Sequence, residues 1–300
     1  GGCNFYYIYN QKVDQIVGID KFLDDAQKSC TSTDSKIESM LTESMSYYGV
    51  NLFISDFGYV VSKGTPATAQ SQIRKVFSNE LKSNPDFSVA IRKYFVGFNG
   101  TYYPGDIACN QTLPIYLWIF GDGSNVKQFF ELEIKRDCES EVVFQANQQV
   151  DFSMKTANSR AIKGGKSIVV KNWDNDRKDK KHHVTITADL SNVILSKDEI
   201  LDRDMYELVA KGSSANWEIS NIEPSNDGQY VFDLIADKPS PCDVTLGYKL
   251  SLPDWVEQSN FEGSGIPPAG KTLNIAPQIG GVYDAYKSSE YLFSINFNIQ

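Results

Sequence analysis

Asp56 closes an apolar run, Val50-Asn-Leu-Phe-Ile-Ser55, and is followed by Phe57 and Gly58. A carboxylate just past the end of a buried strand sits where ligands gather in helix-flanked sheets. Asp56 is therefore the first candidate for ligand binding. A second acid, Asp122, follows the apolar run Leu113–Phe120 and lies between Gly121 and Gly123. Two carboxylates at neighbouring strand ends could clamp a divalent cation that polarises a phosphoryl oxygen. That chemistry would make the chain a metal-assisted phosphoester hydrolase using Asp56 and Asp122. The set stops at two acids, with no base or oxyanion donor beside them. No Gly-x-Ser-x-Gly elbow occurs, and the only histidines, His182 and His183, are adjacent. On a strand such neighbours point to opposite faces and cannot share one metal. Asp56-Phe57-Gly58 also spells the magnesium-holding tripeptide of protein kinases, but no glycine-rich loop or His-Arg-Asp loop precedes it.

A third cluster is the charged run Asp174-Asn-Asp-Arg-Lys-Asp-Lys-Lys-His-His183. Its carboxylate spacing suggests calcium. An EF-hand loop, however, needs Gly at its sixth position and Glu at its twelfth, where this chain has Asp179 and Thr185. The interleaved lysines favour a solvated hairpin tip. The aromatic residues Tyr102, Tyr103, Trp118 and Trp255 offer a sugar- or protein-contact surface, against the commoner use of strand aromatics as core.

The totals narrow the classes. At 300 residues and 41% hydrophobic content the chain can build one large core or two ordinary ones. A net charge of -9 argues against a nucleic-acid partner, which needs a basic face. The five cysteines contain no Cys-x-x-Cys pair, which excludes a zinc ribbon or a thioredoxin-type motif and leaves both disulfides and buried thiols open. No run of 18 apolar residues exists, so no transmembrane segment is expected. The chain opens Gly-Gly-Cys without Met, a charged segment or an apolar leader, so an export signal is expected to be already removed. A cell-envelope or secreted location is favoured over the cytoplasm.

The elements that must position Asp56 read as alternating strand and helix. Phe5–Tyr9 is a short aromatic strand. Thr31-Ser-Thr-Asp-Ser35 is a turn, and Ser35 with Glu38 has the spacing of a capping box. Ile37, Met40, Leu41 and Met45 then lie on one helical face, which Gly49 ends. Thr65-Pro66 opens a second helix, with Ile73, Val76, Phe77 and Leu81 as its stripe, and Asn84-Pro85 stops it. Phe87–Phe98 is a long strand, turned by Asn99-Gly100 into Thr101–Tyr103. Leu113–Phe120 is apolar throughout, as in a strand covered on both faces. A further helix begins near Val126. This alternation predicts an α/β domain with a mostly parallel sheet flanked by helices.

The Thr31–Ser35 turn entering a helix, the run Phe53-Ile-Ser-Asp56 and the strand Leu113–Phe120 followed by Gly121 together resemble a von Willebrand factor A-type domain, of a divergent bacterial kind. The similarity covers roughly residues 5–135. It implies a divalent cation, Mg2+ or another, at the top of the sheet, with Asp56 as an aspartate ligand and Thr31 or Thr33 as the loop hydroxyl. The family's first-strand Asp-x-Ser-x-Ser motif is missing, since only Gly-Gly-Cys-Asn precedes the strand at Phe5.

Past a polar stretch, Met154–Lys166, the period changes to two. Val184-x-Ile186-x-Ala188-x-Leu190 alternates, as do the runs from Tyr230, Val244 and Tyr291. Strands with one wet face predict an antiparallel sandwich. Asn226-x-Gly228-x-Tyr230 resembles the tyrosine corner of immunoglobulin-like sandwiches. The expected organisation is an A-type α/β domain over residues 1–153 and an immunoglobulin-like β-sandwich over 164–300. The expected function is non-catalytic recognition of a protein partner through the carboxyl-end face of the α/β sheet, cation-assisted. The alternatives are the hydrolase above and a surface glycan-binding sandwich.

Overall fold

A computed structural model describes residues 4–9, 12–18, 20–21, 36–58, 65–102, 107–132, 138–146, 148–176 and 178–300. The chain divides into two units. The first joins residues 1–143 to Leu252–Tyr286, and the second joins Phe144–Ser251 to Lys287–Gln300. This partition differs from a single cut near residues 153–164, because the chain enters the second unit, leaves it and returns.

The first unit is built on a four-stranded sheet with strand order 51–55, 107–122, 87–102, 140–144. Asn51–Ser55 pairs antiparallel with Ile107–Asp122, and so does Phe87–Tyr102. The expected mostly parallel A-type sheet is therefore corrected. The apolar run Leu113–Phe120 reflects a central strand covered on both faces, and such cover does not require parallel neighbours. The hairpin turn expected at Asn99-Gly100 is corrected as well. Both residues lie within the ladder, opposite Asn110 and Cys109. Gly100 leaves room for the Phe98 ring, which a Cβ there would meet at 3.1 Å.

On one sheet face Trp118 and Phe120 meet the helix Pro66–Ser83 and the start of the long strand through Phe77 and Phe87. Thr65 and Thr68 form a reciprocal cap at that helix's start. The helix Ile275–Tyr286 packs against it so closely that a Cβ on Gly281 would lie 2.5 Å from the Gln70 carbonyl oxygen. Gln70 Nε2 donates to Asp284 Oδ2 at 2.8 Å, and the Tyr286 hydroxyl donates to the Phe87 carbonyl at 2.9 Å. On the opposite face Arg92 lies over the Phe130 ring of the helix Gly123–Leu132, at 4.5 Å. Its Nε bonds Glu141 at 3.0 Å. The helix Ile37–Met45 buries Ile37 and Leu41 of the predicted stripe, while Met40 and Met45 are half-buried.

The second unit is a double sheet, compatible with a β-sandwich, but not antiparallel throughout as predicted: Gln148–Gln149 and Ser167–Ile168 pair parallel with Tyr291–Ile299. One layer orders Trp217–Pro224, Gln229–Ala236, His182–Asp189 and Phe152–Lys155, all antiparallel. The other centres on Tyr291–Ile299 beside Cys242–Lys249 and Tyr206–Lys211. Val184, Ile186, Phe232 and Leu234 face inward from the first layer, with Leu246, Phe293, Ile295 and Phe297 from the second. Tyr206 bridges them, its ring 5.5 Å from Phe232 and 6.0 Å from Phe293. Tyr230 is half-buried and makes no described hydrogen bond, so the corner geometry predicted for it is not formed among the described residues.

Candidate functional site

Asp56 follows directly from the strand Asn51–Ser55, which is an edge strand. Phe57 adopts a left-handed backbone (φ 50°) that few non-glycine residues occupy. The conformation is held from several sides. Its ring is fully buried, stacks on Trp118 at 4.6 Å and meets Phe53 edge-on at 5.3 Å. Its carbonyl accepts from Gln278 Nε2 at 2.8 Å. With Phe57 plugged inward, Asp56 is turned outward. The Gly58 amide donates to Asp56 Oδ1 at 3.3 Å and the Ser55 hydroxyl lies 3.4 Å from the same oxygen.

Asp56 faces a crevice that it shares with Tyr102, Lys271 and Thr272, of about 10 Å³. That is room for about one water, far below the roughly 300 Å³ of a ligand pocket. Protein around the carboxylate raises its pKa through desolvation, and the bonds from Gly58 and Ser55 pull it back. The residue is nonetheless exposed to solvent, so this is not a sequestered charge of the kind an enclosed acid would carry. Burial pushes Tyr102 up to about 12, with the Asp56 charge adding to it.

Behind the crevice lies a polar network that sequence reading did not reveal. Tyr116 and Thr272 approach at 3.4 Å, and Lys93 Nζ donates to Ser259 Oγ at 2.9 Å. Ser259 Oγ donates onward to the Trp255 carbonyl at 2.7 Å. Burial lowers the Lys93 pKa, with Glu139 opposing. A lysine bonded to a serine has the chemistry of a nucleophile and its base. Here both are buried, Ser259 to 1% exposure, and the adjoining crevice admits no substrate. The only sequence signal was a lysine inside an otherwise buried strand.

The two acids paired by sequence reasoning are not brought together. Ser55 is opposite Tyr116 in the ladder, six positions from Asp122, or on the order of 20 Å of strand. Asp122 instead accepts from Asn84 Nδ2 at 2.6 Å and ties the end of the helix Pro66–Ser83 to the sheet. Thr31 and Thr33 lie outside the described residues. Around Asp56 the crevice lining holds no second carboxylate and includes the cationic Lys271. Magnesium keeps several of its six oxygens as waters and takes one or two carboxylates from protein, of which this crevice supplies Asp56 alone.

The charged run forms a hairpin tip in which Asp176, Asp179 and His183 place one ligand atom each within 4.8 Å of one another. His183 Nε2 is 2.8 Å from Asp179 Oδ2. The Lys181 amide, ahead of His183, holds the Asp179 pKa below the usual carboxylate range. All three are exposed, and in the chain they alternate with Lys178, Lys180 and Lys181, the last of which turns its ammonium to Glu218 at 3.3 Å. As expected of neighbours on a strand, His182 turns the other way, towards Trp173. Of the aromatic residues considered for a glycan surface, Trp118 and Tyr102 are buried and Trp255 is half-buried, with its indole donating to the Glu141 carbonyl. Tyr103 is outside the described residues.

What stays open is the edge strand itself. Leu52 is 47% and Ile54 58% exposed, on the face shared with half-buried Leu117. Among the described residues nothing pairs with its outer side. Among the described residues no helix is long and apolar enough to cross a membrane. No protein-family model matches the chain, and searches of curated proteins and of solved structures return no match. The antiparallel sheet of the first unit does not show a von Willebrand factor A-type domain.

Proposed function

We propose that the chain is a non-catalytic interaction protein that takes a polypeptide partner on the edge strand Asn51–Ser55. One observation carries this reading: the strand's outer side is unpaired among the described residues while Leu52 and Ile54 stand exposed beside it. Proteins usually blunt such edges with charge or proline, and Asn-Leu-Phe-Ile-Ser contains neither. An extended segment added there would satisfy the free backbone groups and cover both side chains. The contact replaces the carboxyl-end sheet face suggested by the sequence, and it needs no cation. A one-water crevice and two distant acids speak for binding over catalysis. An envelope or secreted setting, with the sandwich as scaffold, goes with the same reading.

The test is to pan the full chain against a display library of short unstructured peptides. Apolar, β-favouring peptides are expected to enrich on the wild type, and to lose at least tenfold in binding to a Leu52→Lys, Ile54→Lys double variant. At concentrations where the chain is monomeric, no enrichment, or enrichment indifferent to the two substitutions, would refute the assignment.

A further inference from the structure

The segment Asn51-Leu-Phe-Ile-Ser55 reads nearly the same from either end. A small polar residue is followed by an aliphatic one, the central Phe53, another aliphatic and another small polar residue. We infer that this edge pairs antiparallel with the same strand of a second copy of the chain, about a two-fold axis at Phe53. The inference rests on the edge being a protein-binding surface, as proposed above.

A two-fold contact requires a surface that is complementary to itself. Antiparallel pairing centred on Phe53 sets Leu52 opposite the partner's Ile54, and Asn51 opposite the partner's Ser55. Every cross-strand pair then matches in size and polarity. Leu52 and Ile54, now 47% and 58% exposed, would cover one another on the open face. Charge permits the approach even though each chain carries a net -9, because none of the five paired positions is ionisable. The nearest acid, Asp56, would fall opposite the partner's Val50. The two Asp56 carboxylates would then be six positions apart along the ladder, about 20 Å, well beyond a Debye length of about 8 Å. A heterologous apolar peptide would satisfy the same backbone groups but has no reason to reproduce this symmetry.

Sedimentation velocity of the full chain over a concentration series tests the pairing, together with amide exchange at low and high concentration. The expected result is a weight-average mass that rises towards twice that of the chain, with exchange at residues 51–55 slowing as it rises. The double variant Leu52→Lys, Ile54→Lys should stay monomeric. Both side chains are exposed, so its circular dichroism should match the wild type. Association that the double variant leaves intact would overturn the inference by placing the contact elsewhere. A chain that is monomeric throughout yet captures display peptides would overturn self-pairing and leave the proposed function standing. A monomer that captures none would overturn both.

Discussion

Asp56 and Phe57 show how far a residue type can be read and where geometry takes over. An acid after an apolar run was visible as a candidate, and it does line a polar crevice. What the sequence did not contain was the left-handed turn at Phe57, which comes from aromatic packing by Trp118 and a hydrogen bond from Gln278, residues far along the chain. The raised Asp56 pKa gives a signed expectation. A carboxylate whose folded pKa lies above its ordinary value favours folding only while protonated, and this advantage is lost as pH rises through the folded value. Asp56→Asn keeps an acceptor for the Gly58 amide and removes the charge. It should leave the melting temperature at pH 7 unchanged or slightly higher, by no more than about 1 kcal/mol in stability. Melts below the ordinary carboxylate pKa should show the two proteins converging. A clear loss of stability at neutral pH would mean that the charge itself is structural.

Among the elements, those whose residues answer only to local rules were legible. The helix at Pro66 has its cap and a buried stripe, and the strands His182–Asp189 and Gln229–Ala236 alternate as their patterns require, whereas Tyr291–Ile299, with strands on both sides, is buried on both faces from Leu292 to Ile295. Strand direction was not legible, because an apolar run reports burial on two faces and says nothing of its neighbours' polarity. The helix Ile275–Tyr286 was hidden for a related reason: Gly280 and Gly281 look like breakers until a second helix is seen to need their space. The two glycines differ in a way that can be measured. A Cβ at Gly281 would lie 2.5 Å from the Gln70 carbonyl oxygen and 2.8 Å from the Ile73 Cβ, whereas at Gly280 the nearest atom is the Gln70 side chain at 3.5 Å. Gly281→Ala should therefore cost roughly 1–3 kcal/mol in chemical denaturation. Gly280→Ala should be neutral or slightly stabilising, since alanine is the better helix former.

For the whole molecule, alkaline pH is the sharpest probe. Burial pushes Tyr102 and Tyr116 up to about 12 from an ordinary 10.0. Stability tied to such groups is whole below pH 10 and is lost as pH climbs through their folded values. Denaturation midpoints should fall steeply between pH 10 and 12, by at most about 2–3 kcal/mol for each tyrosine. Lys93 works against this trend, since a lowered amine pKa favours the folded state more as pH rises towards 10.5. The chain path supplies a separate test. Leu250 donates to the Glu290 carbonyl at 3.0 Å, so the excursion Leu252–Tyr286 leaves and re-enters the second unit at nearly one point. Replacing it with a short Gly/Ser joint should preserve the sandwich's near-ultraviolet signature and abolish that of the sheet around Trp118. The same path bears on synthesis. A ribosome must deliver residue 286 before the first unit can seat its last helix, and nearly the whole chain before the sandwich receives Tyr291–Ile299. Neither body can finish as it emerges, so the nascent polypeptide carries Trp118, Phe120 and Phe232 without their full cover until translation is almost done, and chaperone occupancy should be heaviest at that stage.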